Sequence, residues 1–284
     1  MIRRPPRSTQ GVSSAASDVY KRQGYKEVTL LGQNVDSYLW YGGGPKKDFR
    51  KATDLQKKTA ITFDKLLEMV ASEQPNMRIR FSTSNPQDMT VDVLYVMLKH
   101  KNICNYIHLP LQAGSNRILK RMNRTYTKEH FIELALKIRD YLPGAGISTD
   151  IIVGFPGESD DDFEDTIDVM NQVNFDSAYT FKYSPRKGTK ATEYDDQIKE
   201  SIKQDRLSKV IELQKSHTLL RNEVYVGNIE NVLIEKKSKR NKNMWTGRTD
   251  SNKWVVFDKS GYSVNDIVPV LITESRGITL SLIH

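Results

Sequence analysis

Five short polar stretches, each directly after an apolar run, hold the residues of this chain that could do chemistry. They are Gly32-Gln33-Asn34-Val35-Asp36, Ser82-Thr83-Ser84-Asn85-Pro86, the run from Pro110 to Ser115, Gly154-Phe155-Pro156-Gly157-Glu158, and the run from Tyr183 to Thr189. Turns are generally rich in Gly, Asn and Ser, so no single stretch is specific. Five in succession can build a rim of amides, hydroxyls and backbone N–H groups that hydrogen-bonds a polar cofactor. Gly154 and Gly157 permit close backbone approach there. Asp150 falls inside a strand, where it either points inward or pairs with a cation. His108 also falls inside a strand, and a lone histidine there is more often a packed, hydrogen-bonded ring than a catalyst. Hydrolytic chemistry finds no support, because the chain has no nucleophile elbow, no zinc-spaced histidine pair and no Walker loop.

Sulfur chemistry is bounded more tightly. One cysteine, Cys104, stands among 284 residues. An internal disulfide is impossible, and a reducing cytoplasm is the expected compartment. An iron–sulfur cluster takes about four thiolates, or three and an outside ligand, so this chain cannot hold one. Cys104 itself reads as a small buried hydrophobe.

A second kind of chemistry lies near the C-terminus. Lys236, Lys237, Lys239, Arg240, Lys242 and Arg248 crowd into the run from Glu235 to Arg248 with Trp245 among them, and Trp254 and Phe257 follow. Cations track phosphates and aromatic faces stack bases, which makes Lys236, Lys237, Lys239, Arg240, Trp245 and Arg248 the candidate RNA contacts. The competing reading is a solvated hairpin with core aromatics. The formal net charge of +8 fits a polyanionic partner, but half of it sits in residues 1–23, with five basic side chains against Asp18.

Positioning that rim falls to alternating elements. Apolar runs at 28–31, 79–81, 106–111, 147–153 and 178–183 predict strands. Helical periodicity predicts helices over 63–72, 91–100, 128–141 and 161–173. Such alternation gives a parallel α/β sheet or barrel, whose ligands bind at the C-terminal strand ends. Thr62, Thr90, Thr127 and Ser159 are candidate N-caps. Asp160, Asp161 and Asp162 sit where a helix dipole favours acids, which explains them without a metal. Residues 42–58 read as a loop, and 198–223 as one amphipathic connector helix. From Tyr225 the texture changes to short β-favouring runs, a small all-β module of Greek-key type. No apolar run reaches the roughly 18 residues of a membrane helix, so no membrane partner is expected.

The termini read differently. Residues 1–23 lack periodicity and are rich in Arg, Ser and Pro. That composition suits a transit peptide, but resembles translated sequencing-adapter DNA more closely. The last four residues, 281–284, read as a similar scar, and the native chain is expected to begin before Gly24.

Taken together, LLGQNVDSY (30–38), RIRFSTSNP (78–86), HLPLQAGSNRILKRMNR (108–124), STDIIVGFPGE (148–158), FDSAYTFKYSPRKGT (175–189) and TGRTDSNKWVVF (246–257) resemble the radical-SAM methylthiotransferase family. The resemblance spans nearly all of residues 24–280 in the family's order. It implies an incomplete radical-SAM (βα) partial TIM barrel over 24–222, followed by a TRAM-type, OB-like β barrel over 223–284 that binds RNA. The GQNV run is most similar to the branch that adds a methylthio group to C2 of isopentenyladenosine at position 37 of tRNA. Sibling branches act on threonylcarbamoyladenosine or on a ribosomal protein.

The family's cofactors are S-adenosylmethionine and two [4Fe–4S] clusters, its partner is tRNA, and a monomer is expected. By resemblance, Gln33, Asn34, Ser82, Thr83, His108, Gln112, Asp150 and Gly154 are the candidate walls of the S-adenosylmethionine pocket. No residue qualifies as catalytic and none as a metal ligand. The departures are large: the family's CxxxCxxC loop and the three cysteines of its N-terminal domain have no counterpart here. Ala113 and Asn85 are smaller departures, standing where serine and histidine are common. The chain is therefore expected to be an inactive fragment. The alternative from another class is a stand-alone RNA-binding protein on a barrel scaffold.

Overall fold

The computed structural model describes residues 24–82, 84–259, 261–277 and 279–281. The expectations for residues 1–23, for Thr83 and for residues 282–284 lie outside them. The chain divides into two compact units, Met1–Cys104 and Asn105–His284. The β module thus shares a unit with the strands that begin after Cys104, a division the change in sequence texture near Tyr225 does not announce.

In the first unit, β1 (Glu27–Leu31) pairs in parallel with β4 (Arg78–Ser82), from Glu27 opposite Arg78 to Leu31 opposite Ser82. Between them lie β2 (Leu39–Trp40), α1 (Asp54–Lys58), β3 (Ile61–Thr62) and α2 (Phe63–Glu73), and α3 (Val91–Lys99) follows β4. β2 and β3 form a short antiparallel pair. Phe63 and Phe81 meet edge to face, ring centroids 5.2 Å apart, and with Leu67, Ile79 and Leu94 they are sealed from solvent. The expected loop over 42–58 contains α1, because Thr53 and Gln56 form a reciprocal capping box that satisfies the first free N–H groups. Cys104 is buried, and its N–H donates to the Ile79 carbonyl.

The second unit opens with β5 (Tyr106–His108), α4 (Asn116–Arg121), α5 (Lys128–Tyr141), β6 (Gly146–Val153), α6 (Asp160–Val173), β7 (Ser177–Lys182) and α7 (Glu200–Glu223). The three strands are parallel in the order β5–β6–β7. β5 ends three residues before the apolar run does. Pro110 has no N–H to continue the ladder, and the Leu111 N–H donates instead to Thr149 Oγ1 at 2.9 Å.

Two of the four expected caps form. Thr127 accepts from the His130 N–H, and Ser159 makes a full capping box with Asp162. The side chains of Thr62 and Thr90 make no cap bond. Asp162 does more than complement a helix dipole. It accepts from Ser115 Oγ at 2.5 Å and pairs with Arg117. Burial opposes its charge, but Arg117, Ser115 and Ser159 together hold it far below the usual carboxylate range.

The connector α7 departs from the amphipathic expectation. Its buried seam is Lys203, Arg206, Val210, Gln214, His217, Thr218 and Asn222, spaced as a helix face yet almost entirely polar. The seam is read by hydrogen bonds: Arg206 Nη1 to Glu158 Oε2 at 2.7 Å, Gln214 Nε2 to the Phe175 carbonyl at 2.9 Å, and Thr218 Oγ1 to the Asp176 carbonyl at 3.1 Å.

The module that follows is one six-stranded sheet made of β8 (Ile229–Lys237), β9 (Met244–Arg248), β10 (Trp254–Asp258), β11 (Ile267–Leu271), β12 (Glu274–Arg276) and β13 (Thr279–Ser281). Its order is β11–β8–β9–β10–β13–β12. Val232, Ile234, Trp245, Val255, Phe257, Val268, Ile272 and Leu280 build its core.

Candidate functional site

At the C-terminal ends of β6 and β7 the second unit opens into a cavity of about 1000 Å³. Gln112, Arg124, Asp150, Phe181, Tyr183 and Arg186 are on its wall. Gln112 is buried and adopts the left-handed backbone at φ 69°, a conformation non-glycine residues seldom take. Two backbone bonds hold it there. Its N–H donates to the Asp150 carbonyl, and its own carbonyl accepts from the Ile152 N–H, each at 2.8 Å.

Below Asp150 runs a short polar relay. Tyr106 Oη lies 2.5 Å from Ser148 Oγ, and Ser148 Oγ lies 2.7 Å from His108 Nδ1. His108 Nε2 then faces Asp150 Oδ1 at 3.5 Å. The histidine is thus a fixed ring that braces Asp150 at the cavity floor.

Gly154 is placed differently. Its N–H donates to Glu158 Oε2 at 2.7 Å, and a Cβ there would stand 2.4 Å from Lys203 Cγ. The close approach it permits is that of α7. Glu158 is almost wholly buried; burial raises its pKa above the ordinary range, against the Gly154 N–H and the Arg206 guanidinium.

The first unit carries its own polar strand end. Gln33 is exposed and Ser82 half-buried. Asn34 Nδ2 donates to Asp88 Oδ2 at 2.6 Å, and Asp36 Oδ2 accepts from the Asn85 N–H at 3.3 Å. Among the described residues, Asn34 Oδ1, Asp36 Oδ1 and Ser84 Oγ are buried without a hydrogen-bond partner. Burial pushes the Asp36 carboxyl up to about 7.

Tyr183 and Arg186 lie in the rim stretch that the sequence singled out, whereas Arg124 and Phe181 are cavity residues that it did not. Both of the latter lie within conspicuous runs, but neither charge nor aromaticity near a strand end distinguishes a wall from a turn.

On the β module, Lys236, Lys237, Lys239 and Arg240 are exposed along β8 and the loop after it. Arg248 is half-buried and pairs with Glu235, and its Nη1 donates to Asn252 Oδ1 at 2.7 Å. Trp245, expected on the RNA face, is 4% exposed and belongs to the core, so it presents no face for stacking. The accessible tryptophan is Trp254, with Lys236 Nζ 4.8 Å and Arg248 Cζ 5.6 Å from its ring centre.

Two family patterns match the chain. The radical SAM superfamily pattern matches residues 11–170, starting inside the segment whose composition reads as foreign, and the TRAM domain pattern matches residues 223–280. The chain is 49% identical over 275 residues to the tRNA-2-methylthio-N(6)-dimethylallyladenosine synthase of Christiangramia forsetii, covering 96% of this chain and 57% of that protein. The Clostridium tetani protein of the same name is 42% identical over 274 residues, with 94% and 57% covered. The chain therefore spans little more than half the length of these relatives. The structure of coproporphyrinogen III oxidase from Escherichia coli, described as a radical SAM enzyme, matches with a TM-score of 0.46 at 14% identity, over 85% of this chain and 61% of that one.

Proposed function

We propose, from a chain that belongs to the radical SAM superfamily, that it is part of a tRNA methylthiotransferase that adds a methylthio group to C2 of isopentenyladenosine at position 37. The observation that carries this is the 49% identity to a synthase so named, running through both the strand–helix region and the β module. Its partner is tRNA, held by the module; its place is the cytoplasm, where that tRNA and a lone reduced thiol belong; and it works as a monomer.

The residues present fit one of the family's cofactors and not the other. S-adenosylmethionine brings an ammonium, a carboxylate, a ribose and an adenine. The second unit's cavity offers a carboxylate in Asp150, guanidinium groups in Arg124 and Arg186, an amide in Gln112 and rings in Phe181 and Tyr183. The orphaned buried acceptors at Asn34 and Asp36 suit a polar ligand as well. With a reduced cluster, which this chain's residues do not fit, the cofactor would supply the superfamily's radical chemistry; this chain's part would be to bind and orient it in the second unit's cavity. His108 fixes Asp150, and the Gln112 backbone fixes the loop opposite. Gln33, Asn34, Ser82 and Thr83 stand as the first unit's own candidate contacts, by the family resemblance.

A [4Fe–4S] cluster does not fit. Cys104 is the one thiol, it is buried, and among the described residues no group of three His, Cys, Asp or Glu could hold a metal ion.

The test is a hybrid in which this chain replaces the matching region of the Christiangramia forsetii synthase, expressed in cells that lack the activity. Mass spectrometry of digested tRNA should show methylthio-isopentenyladenosine. Methylthio-threonylcarbamoyladenosine in its place would mark the sibling branch, and neither nucleoside would overturn the assignment.

A further inference from the structure

The exposed rings of β7 are left unexplained by the cavity alone. Odd-numbered residues of this strand share one face. Tyr179 on that face is 57% exposed and Phe181 is 52% exposed. Tyr179 is nevertheless oriented, edge-on to His108 with centroids 5.9 Å apart at 74°. It lines a second cavity, of about 350 Å³, together with Trp254, Asn252 and Lys215. Phe181 lines the larger one. β7 therefore joins the two cavities with a row of open rings, and Trp254 joins that row to the cationic face of the module.

We propose that Trp254, Tyr179 and Phe181 form a stacking track for unpaired RNA nucleotides, leading from the module to the strand-end cavity. The proposal rests on the reading that the module binds RNA. Alternate residues of a strand stand about 6.6 Å apart. That is nearly twice the roughly 3.4 Å rise of stacked bases in a duplex. The track thus fits a strand drawn out, with each base leaving its neighbour for a protein ring, and does not fit a duplex. Charge selects the same occupant. Lys215 flanks the first cavity, Arg186 the second, and Lys236 the tryptophan. These cations favour a polyanion over an apolar peptide.

The test uses the whole chain and two fluorescein-labelled RNAs of equal length, one with an unpaired loop and one fully paired. Anisotropy gives the affinity of each. The Tyr179→Ala/Phe181→Ala variant should bind the looped RNA about tenfold or more weakly and the duplex unchanged. Tyr179→Phe, which keeps the ring, should bind as the parent does. Lys236→Glu/Lys237→Glu should weaken both RNAs. Both rings are exposed, so circular dichroism and the thermal midpoint should not move. Unchanged loop affinity in the ring variant, beside losses in the lysine variant, overturns the track and leaves the RNA reading standing. Binding of neither RNA by the parent overturns both. If the parent sediments as a dimer and the ring variant as a monomer with RNA affinity unchanged, the face belongs to a second copy and the track is again overturned.

Discussion

Lys253 Nζ lies 2.7 Å from Asp176 Oδ1, and the two side chains are 6% and 4% exposed. One belongs to the turn between β9 and β10, the other to the segment entering β7. Arg139 of α5 and Arg221 of α7 reach the same carboxylate at 3.2 Å and 3.5 Å, and the Ile147 N–H donates to it at 2.9 Å. Burial opposes the Asp176 charge, but Lys253 and Arg221 hold its pKa below the ordinary value. Four elements therefore converge on one anion. The TDSNKW run, which enters the sequence reading only through the family resemblance, spends Lys253 on fastening the module to the strands.

A buried pair broken on one side leaves an uncompensated charge, at a cost of about 3–5 kcal/mol. Asp176→Asn, which takes the shared carboxylate from Lys253, Arg139 and Arg221, should lower stability by about that much in urea unfolding followed by circular dichroism. Lys253→Met should cost less, because Arg139 and Arg221 still pair with Asp176. An Asp176→Asn variant as stable as the parent would show that the pair contributes nothing.

The α/β alternation and the module were legible because each depends on local pattern. The helix over Lys128–Tyr141 coincides with its periodicity, and β10 begins at Trp254 as its run does. Partners at long range were not legible. Nothing in the spacing of Lys203, Arg206 and Gln214 tells a buried polar seam from a solvated face, because the difference lies in Glu158 and Phe175, about 40 residues or more away. Trp245 and Trp254 likewise carry the same chemistry, and only strand register sends one into the core and leaves the other half-buried.

Gly114 offers a packing test. A Cβ there would stand 2.4 Å from Thr166 Cα and 2.5 Å from the Asp165 carbonyl oxygen, both backbone atoms of α6. At Gly154 the obstacle is the Lys203 side chain, though φ of 71° adds backbone strain. Gly114→Ala should cost about 2–4 kcal/mol, with α6 forced outward. Gly154→Ala should be partly rescued by Lys203→Ala, whereas no side-chain truncation should rescue Gly114→Ala. Thermal midpoints of the four proteins decide it.

Iron gives a test of composition. Reconstitution of the chain with iron and sulfide under reducing conditions should give no stoichiometric iron–sulfur absorbance after desalting, because Cys104 is a single buried thiol. The same thiol should react with a disulfide reagent slowly in the native protein and rapidly in denaturant. One cluster per chain would overturn the expectation.

Asp36 sets a pH dependence for the first unit. Burial raises its carboxyl from 3.8 to about 7, with the Asn85 N–H and other hydrogen bonds opposing. The folded state therefore holds a proton that the unfolded state releases near pH 4. Stability from this group is complete below the unfolded pKa, declines as pH rises, and is lost once pH passes about 7. Asp36→Asn keeps an acceptor for the Asn85 N–H and removes the titration. Near pH 4 the variant and parent should melt alike, and at pH 8 the variant should be more stable by about 4 kcal/mol. The sign separates this site from Asp162, whose depressed pKa makes its contribution grow with pH and vanish only in strong acid. Parent and variant midpoints that run parallel from pH 5 to 8 would mean that Asp36 is ionised in the fold, with a cation or solvent reaching its buried Oδ1.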